Sequence, residues 1–106
     1  MFTVYVTAPP DAAETIARTV VEERLAACVN RLDCRSTYRW EGEVHADEAE
    51  EVLLAKTTAE RLPALTDRIE ELHPYEVPCV ETFAADEATD PFAEWVADSV
   101  AERSAE

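Results

Sequence analysis

Glycine is almost missing from this 106-residue chain: Gly42 is the only one. Neither a G-x-G-x-x-G turn nor a Walker-type loop can form without glycines, so phosphate cradling by such a loop is excluded. Lysine is equally scarce. Lys56 stands alone beside the arginines, Lys and Arg together number 9 against 24 Asp and Glu, and the net charge is −15. Nucleic acid and anionic membrane both need a basic footprint, so neither is expected as a partner. No apolar run approaches the roughly 18 residues that span a bilayer. The first residues, Met1 to Ala8, have no basic start and no long apolar stretch. They do not read as a signal peptide, and a cytoplasmic location is expected. The three cysteines, Cys28, Cys34 and Cys79, lack paired C-x-x-C spacing and fit free thiols in a reducing cytosol.

One chain of this length makes one domain, residues 1–106, with no room for a second core. Much of its apolar fraction is alanine, so the core is thin and a subunit interface can supply the missing burial. The acid excess repels itself. Salt near 1 M shortens the Debye length to about 3 Å, so the composition reads as adaptation to a salt-rich cytoplasm.

Residues 2–7, rich in β-branched and aromatic side chains and running into Pro9-Pro10, predict a first strand. Asp11 three residues before Glu14 resembles a capping box and places a helix over about 11–25, with Ala13, Ile16, Ala17, Val20 and Val21 on its apolar face. Over 31–40, Leu32, Cys34, Ser36, Tyr38 and Trp40 alternate with Arg31, Asp33, Arg35, Thr37 and Arg39. That is a long strand, with the first set expected to face inward. Glu41-Gly42 offers a turn, after which Val44 and His45 resume. The acidic stretch Asp47–Glu51 leads into Val52–Ala55, which is apolar on both faces as a central strand is. These runs pair as a long hairpin.

Thr57 and Glu60 mark the approach to a second helix over about 61–72, with Leu62, Leu65, Ile69 and Leu72 on one face. Pro63 falls in its first turn, where proline is tolerated, and His73-Pro74 stops it. Residues 78–84 read as the last core strand. Asp90 as N-cap and Pro91 at the first helical position open a terminal helix carrying Phe92, Trp95, Val96 and Val100. The order β-α-β-β-α-β plus a helix predicts an α+β, ferredoxin-like split βαβ fold: an antiparallel sheet with helices on one face. The uncovered face must be solvated or buried in an oligomer, and the apolar Val52–Ala55 run favours the oligomer.

Several blocks then point to a family. Thr7-Ala8-Pro9, Leu25-Ala26-Ala27-Cys28-Val29-Asn30, Tyr38-Arg39-Trp40-Glu41-Gly42, Lys56-Thr57, His73-Pro74-Tyr75-Glu76-Val77-Pro78 and Trp95 occur in order. Together they resemble the CutA divalent-cation-tolerance family over nearly the whole chain. The resemblance implies a cytoplasmic homotrimer of ferredoxin-like subunits with interlocking hairpins, similar to PII-like signalling trimers. It also implies tolerance to copper and other divalent metals, with no established enzyme reaction.

In metal-binding members, the resemblance implies ligands at positions matching His73 and Cys79. A further ligand position falls at Val6, where this chain has no donor, and Cys79 stands where an acidic residue is usual. An imidazole with a thiolate is a soft pair suited to Cu(I) or Zn²⁺. Six steps of extended chain span roughly 20 Å, so the prolines must fold the segment back or the donors must come from different subunits. The bland reading has His73 at the helix C-terminus and Cys79 packing. Glu76 and Glu81 are further oxygen donors.

Lys56 has two readings: an ion pair with Glu50 or Glu81, or a small anionic ligand held in an intersubunit cleft lined by Trp40, Tyr38 and Tyr75. Cys28 and Cys34 read as packed thiols, His45 as exposed, and Arg31, Arg35 and Arg39 as structural. Asp47–Glu51 lacks the spacing of a calcium loop and reads as a solvated face. The expected function is a non-enzymatic homotrimer binding divalent or soft metal ions, copper foremost, with no required cofactor. A PII-like module for a small anion, and a structural trimer with no specific ligand, stand as alternatives. No nucleophile–base pair or carboxylate dyad points to an enzyme.

Overall fold

A computed structural model describes residues 1–102. Its elements run β1 (Phe2–Ala8), α1 (Pro10–Glu22), β2 (Cys28–Trp40), β3 (Glu43–Thr57), α2 (Leu62–Leu72), β4 (Cys79–Ala84) and α3 (Asp90–Val100). All strand pairs are antiparallel, in the spatial order β2-β3-β1-β4. This is the α+β split βαβ arrangement predicted from the element order.

Register assigns the side chains to faces. Val4, Val6 and Ala8 of β1 stand opposite Ala55, Leu53 and Glu51 of β3. On that face Ala13, Ile16 and Val20 of α1 and Leu65 and Ile69 of α2 close the core with Val4, Val6 and Leu53. Burying one Leu or Ile side chain there contributes about 1.5–3 kcal/mol. A smaller cluster forms where Val96 and Val100 of α3 pack on Ala27, with Met1 and Phe92 at its edge. The opposite face is tiled in rows. Leu32, Val52, Thr7 and Cys79 form one that crosses all four strands.

That register corrects the expected direction of β2. Leu32, Cys34, Ser36, Tyr38 and Trp40 do share a face, but it is the one turned away from the α1–α2 core, and Leu32 is 50% exposed. The alternate set faces the core, with Val29 opposite Ala55 and Arg31 opposite Leu53. Arg31 belongs there because its guanidinium meets the carboxylate of Glu51 in a two-pronged pair at 2.6 and 3.1 Å. It therefore pairs within the chain. Cys28 and Cys34, expected to pack inward, are half-buried on the face away from the core.

The acidic stretch is solvated at Asp47 to Ala49, as expected, but not at its end. It lies inside β3, which is 15 residues long, and Glu50 and Glu51 are buried at 5% and 8% exposure. A buried carboxylate needs a partner, and each has one: Arg31 for Glu51 and the Tyr75 hydroxyl for Glu50. The phase of the strand carried the signal, since Glu51 continues the buried series of Leu53 and Ala55.

Helix ends shift for local reasons. Asp11 is not the N-cap of α1; Pro10 is already helical, Pro9 supplies the first accepting carbonyl at 2.8 Å, and no side chain caps. The helix closes three residues before the expected end, with Arg24 at φ 61°. Leu25 N–H then donates to Val20 O at 2.9 Å and Arg24 N–H to Val21 O at 3.1 Å, a Schellman-type finish. No glycine is available there, and Arg24 Nη1 reaches Ser99 O instead. Asp90 is likewise inside α3, with Thr89 at the cap position. Thr57 ends β3 rather than starting α2, and its buried hydroxyl donates to Leu25 O at 2.8 Å.

β1 pairs with β3 only from Glu51 onward, so residues 43–50 are supported by β2 alone. This ribbon stretches the chain to 49 Å along its longest axis. It turns through Glu41 (φ 50°) and Gly42 (φ 81°), a type I′ pattern that matches strand twist. A register shift between Ser36 and Tyr38 faces Asp47, whose φ is 54°.

Candidate functional site

The link between α2 and β4, residues 73–78, folds back as a strap beside the sheet. His73 is its anchor. Nε2 lies 2.8 Å from Thr7 O, and Nδ1 accepts the Tyr75 N–H at 3.1 Å. A carbonyl only accepts and an amide N–H only donates, which puts the ring hydrogen on Nε2 and leaves both nitrogens engaged. His73 is buried, and the Tyr75 ring tilts against its ring at a centroid distance of 4.9 Å. Tyr75 then donates its hydroxyl to Glu50 Oε2 at 2.8 Å. Burial first, and the Glu50 acceptor second, push the Tyr75 phenol well above its usual value.

The strap turns the chain back between His73 and Cys79. Thr7 is the meeting point: its carbonyl holds His73, and its register partner on β4 is Cys79. His73 and Cys79 thus both neighbour Thr7, the first through its ring and the second through strand register. His73 is indeed the C-cap residue of α2, with its N–H on Ile69 O at 2.9 Å. Val6 sits buried in the core opposite Leu53 and offers no donor. Among the described residues, no three or more His, Cys, Asp and Glu are grouped to hold a metal ion.

Between strap and ribbon lies a groove of about 700 Å³. Tyr38, Trp40 and Tyr75 provide its aromatic wall, with Glu50, Glu76, Cys79, Arg39 and His45 among its other lining residues. His45, expected to be simply exposed, is half-buried and stacks on Tyr38 with centroids 5.3 Å apart and planes 13° apart. Trp40 and Tyr75 of one chain line this groove, and Lys56 of the same chain does not. It pairs in register with Thr3 and Cys28, six residues along β3 from Glu50, a separation of roughly 20 Å. Among the described residues it forms no ion pair with Glu50 or Glu81. Burial pushes the neighbouring Cys28 thiol up, and the Lys56 charge pulls it partly back.

What the sequence did not show are the contacts of Thr7, made through its backbone carbonyl, and of Glu50, whose partner is 25 residues away. No local pattern marks either contact.

Comparison with known proteins places this geometry. The profile of the CutA1 divalent ion tolerance protein family matches residues 2–99. A divalent-cation tolerance protein CutA from Thermus thermophilus is 44% identical over 95 residues, covering 88% of this chain and 91% of that protein. The longer human protein CutA is 42% identical over 94 residues, and the chain spans 52% of its length. Among solved structures, the PII-like protein CutA from Nostoc in apo form superposes with a TM-score of 0.90 at 36% identity, over 95% of this chain and 98% of that one. A CutA from Archaeoglobus fulgidus, described as periplasmic, gives 0.89 at 32% identity, over 95% and 100% of the two chains. No helix among the described residues is long and apolar enough to cross a membrane.

Proposed function

The chain belongs to the CutA1 divalent ion tolerance family, and from that premise we propose that it is a non-enzymatic homotrimer that binds divalent or soft metal ions, copper foremost, and contributes to metal tolerance in the cytoplasm. The convergence of His73 and Cys79 on Thr7 carries this reading. A thiolate and an imidazole favour Cu(I) and Zn²⁺ over hard cations. Among the described residues one chain does not complete the donor set, and both nitrogens of His73 are already used. Uptake at His73 therefore requires the Tyr75 N–H to leave Nδ1, with the remaining donors coming from another subunit. The homotrimer is supported by the overhanging ribbon and by exposed Leu32, Val44, Val77 and Phe83. The half-buried, unpaired thiols suit a reducing compartment.

The test is a competition titration of copper and zinc onto the purified protein in molar KCl under reducing conditions. His73→Gln is the informative variant, because an amide keeps a donor for Thr7 O and an acceptor for Tyr75 N–H while removing the imidazole. Cys79→Ser runs beside it. The expected result is saturable uptake near one ion per chain, lost in both variants, on a particle about three times the 11.8 kDa chain mass. Uptake without stoichiometry that fades with salt and ignores both variants overturns the proposal.

One observation favours a small-molecule module as the second reading: the groove is far larger than a bare ion needs. An anion near Lys56 would lie away from Trp40 and Tyr75 of the same chain, so in that version of the module the aromatic wall comes from a neighbouring subunit.

A further inference from the structure

We propose that Tyr75 and Glu50 are positioning residues that set how readily His73 takes up a soft metal ion, by latching the strap over its Nδ1. The inference rests on the metal reading above and adds the device that controls that site. Every contact it uses is made within one chain, so it holds whether or not a neighbouring subunit covers the groove.

The two ring nitrogens of His73 are engaged differently. Nε2 carries the ring hydrogen and gives it to Thr7 O at 2.8 Å. In a metal-ligating imidazole the nitrogen that does not bind the ion commonly keeps such a donation, which fixes the tautomer. Nδ1 already presents a lone pair, and that lone pair accepts the Tyr75 N–H at 3.1 Å. Nδ1 is therefore the nitrogen suited to ligation, and the Tyr75 amide covers it.

Two further contacts hold that cover shut. The Tyr75 ring lies against the imidazole at a centroid distance of 4.9 Å, and its hydroxyl donates to Glu50 Oε2 at 2.8 Å. Amide, ring and hydroxyl belong to one residue, so moving the peptide off Nδ1 pulls on both of the others. Glu50 is buried in β3 and in register with Cys34, so the catch belongs to the sheet and not to the strap. Linkage then gives the consequence. A site that is competent only when its cover is open binds with an affinity reduced by the open fraction. Weakening the catch raises that fraction and tightens metal uptake, while the same change destabilises the folded chain. A side chain that merely supported the fold would not move the two in opposite directions.

The experiment titrates zinc chloride onto the full-length parent and Tyr75→Phe proteins under reducing conditions, against a chromophoric chelator as competitor. Tyr75→Phe removes only the hydroxyl, and zinc affinity should rise about three- to tenfold, the equilibrium effect of losing one hydrogen bond. In a Glu50→Leu background the same substitution should change zinc affinity by less than about twofold, because the bond it removes is already gone. Hydrogen exchange at the Tyr75 amide, followed by NMR on the parent protein, gives a readout apart from affinity. Saturating zinc should speed that exchange, since it takes the lone pair to which the amide donates. Unchanged or weaker zinc affinity in Tyr75→Phe overturns the latch and leaves the metal reading in place. No saturable uptake by the parent removes the metal reading, and the latch with it. Should the variants fail to fold, the parent decides: a Tyr75 amide as protected with zinc as without it overturns the proposal.

Discussion

Tyr75 and Glu50 are joined by a 2.8 Å hydrogen bond that ties the strap to β3 at the point where β1 stops supporting it. Tyr75→Phe leaves the buried carboxylate without that partner. An unsatisfied buried acceptor costs about 1–3 kcal/mol, and the partial exposure of Tyr75 puts the expected loss at the lower end. Urea unfolding at fixed protein concentration measures it. An unchanged midpoint would mean that the strap does not brace the ribbon.

The same pair fixes a pH dependence. The folded-state value of the Tyr75 phenol lies above its ordinary 10.0. In the unfolded chain the phenol releases its proton near that ordinary value, while the native state retains it. The stabilisation is therefore complete below about pH 10 and is lost as pH rises towards the folded-state value. Stability measured between pH 9 and 11.5 should fall more steeply in the parent protein than in Tyr75→Phe. Parallel curves would remove Tyr75 as the cause.

The hairpin turn gives a local test. Glu41 holds φ 50° and Gly42 φ 81°, with nothing within 4 Å of a Cβ built on Gly42. Space is open, so Gly42→Ala costs only backbone strain, about 1 kcal/mol. Glu41→Asn should go the other way by about 0.5–1 kcal/mol, because Asn adopts the left-handed region more readily and Asn-Gly suits a type I′ turn. Thermal unfolding of both variants checks the signs. Two shifts in the same direction would contradict the turn assignment.

These contacts show where sequence reading succeeds and where it stops. Helical spacing of Ile16 and Val20, and of Leu65 and Ile69, found the buried faces of α1 and α2 because that signal is local. Period-two alternation from Arg31 to Trp40 found the strand and which residues share a face. It could not say which face meets the helices, because Arg31 sits on the core face only through Glu51, its partner 20 residues away. Glu50 and Glu51 looked solvated for the same reason. The His-Pro-Tyr-Glu-Val-Pro block was conspicuous as a motif, yet its anchor is the carbonyl of Thr7, 66 residues distant, and a carbonyl has no sequence signature.

The net charge of −15 sets the last expectation. Among the described residues, Arg18, Arg31, Arg61 and Arg68 pair with only five carboxylates, against 24 Asp and Glu in the sequence. Most carboxylates therefore repel one another across the surface, and that repulsion opposes the compact state. Raising KCl from about 0.01 M to 1 M shortens the Debye length from about 30 to 3 Å, which screens the surface repulsion. The hydrogen bond from Tyr75 to the buried Glu50 carboxylate is screened much less and should persist. Stability and assembly should both rise with salt, followed by unfolding midpoints and sedimentation across that range. Charge-removing variants at exposed sites, such as Glu94→Gln with Asp98→Asn on α3, should need less salt for the same midpoint. A particle equally stable in millimolar and molar KCl would assign the acidic surface a role other than salt adaptation.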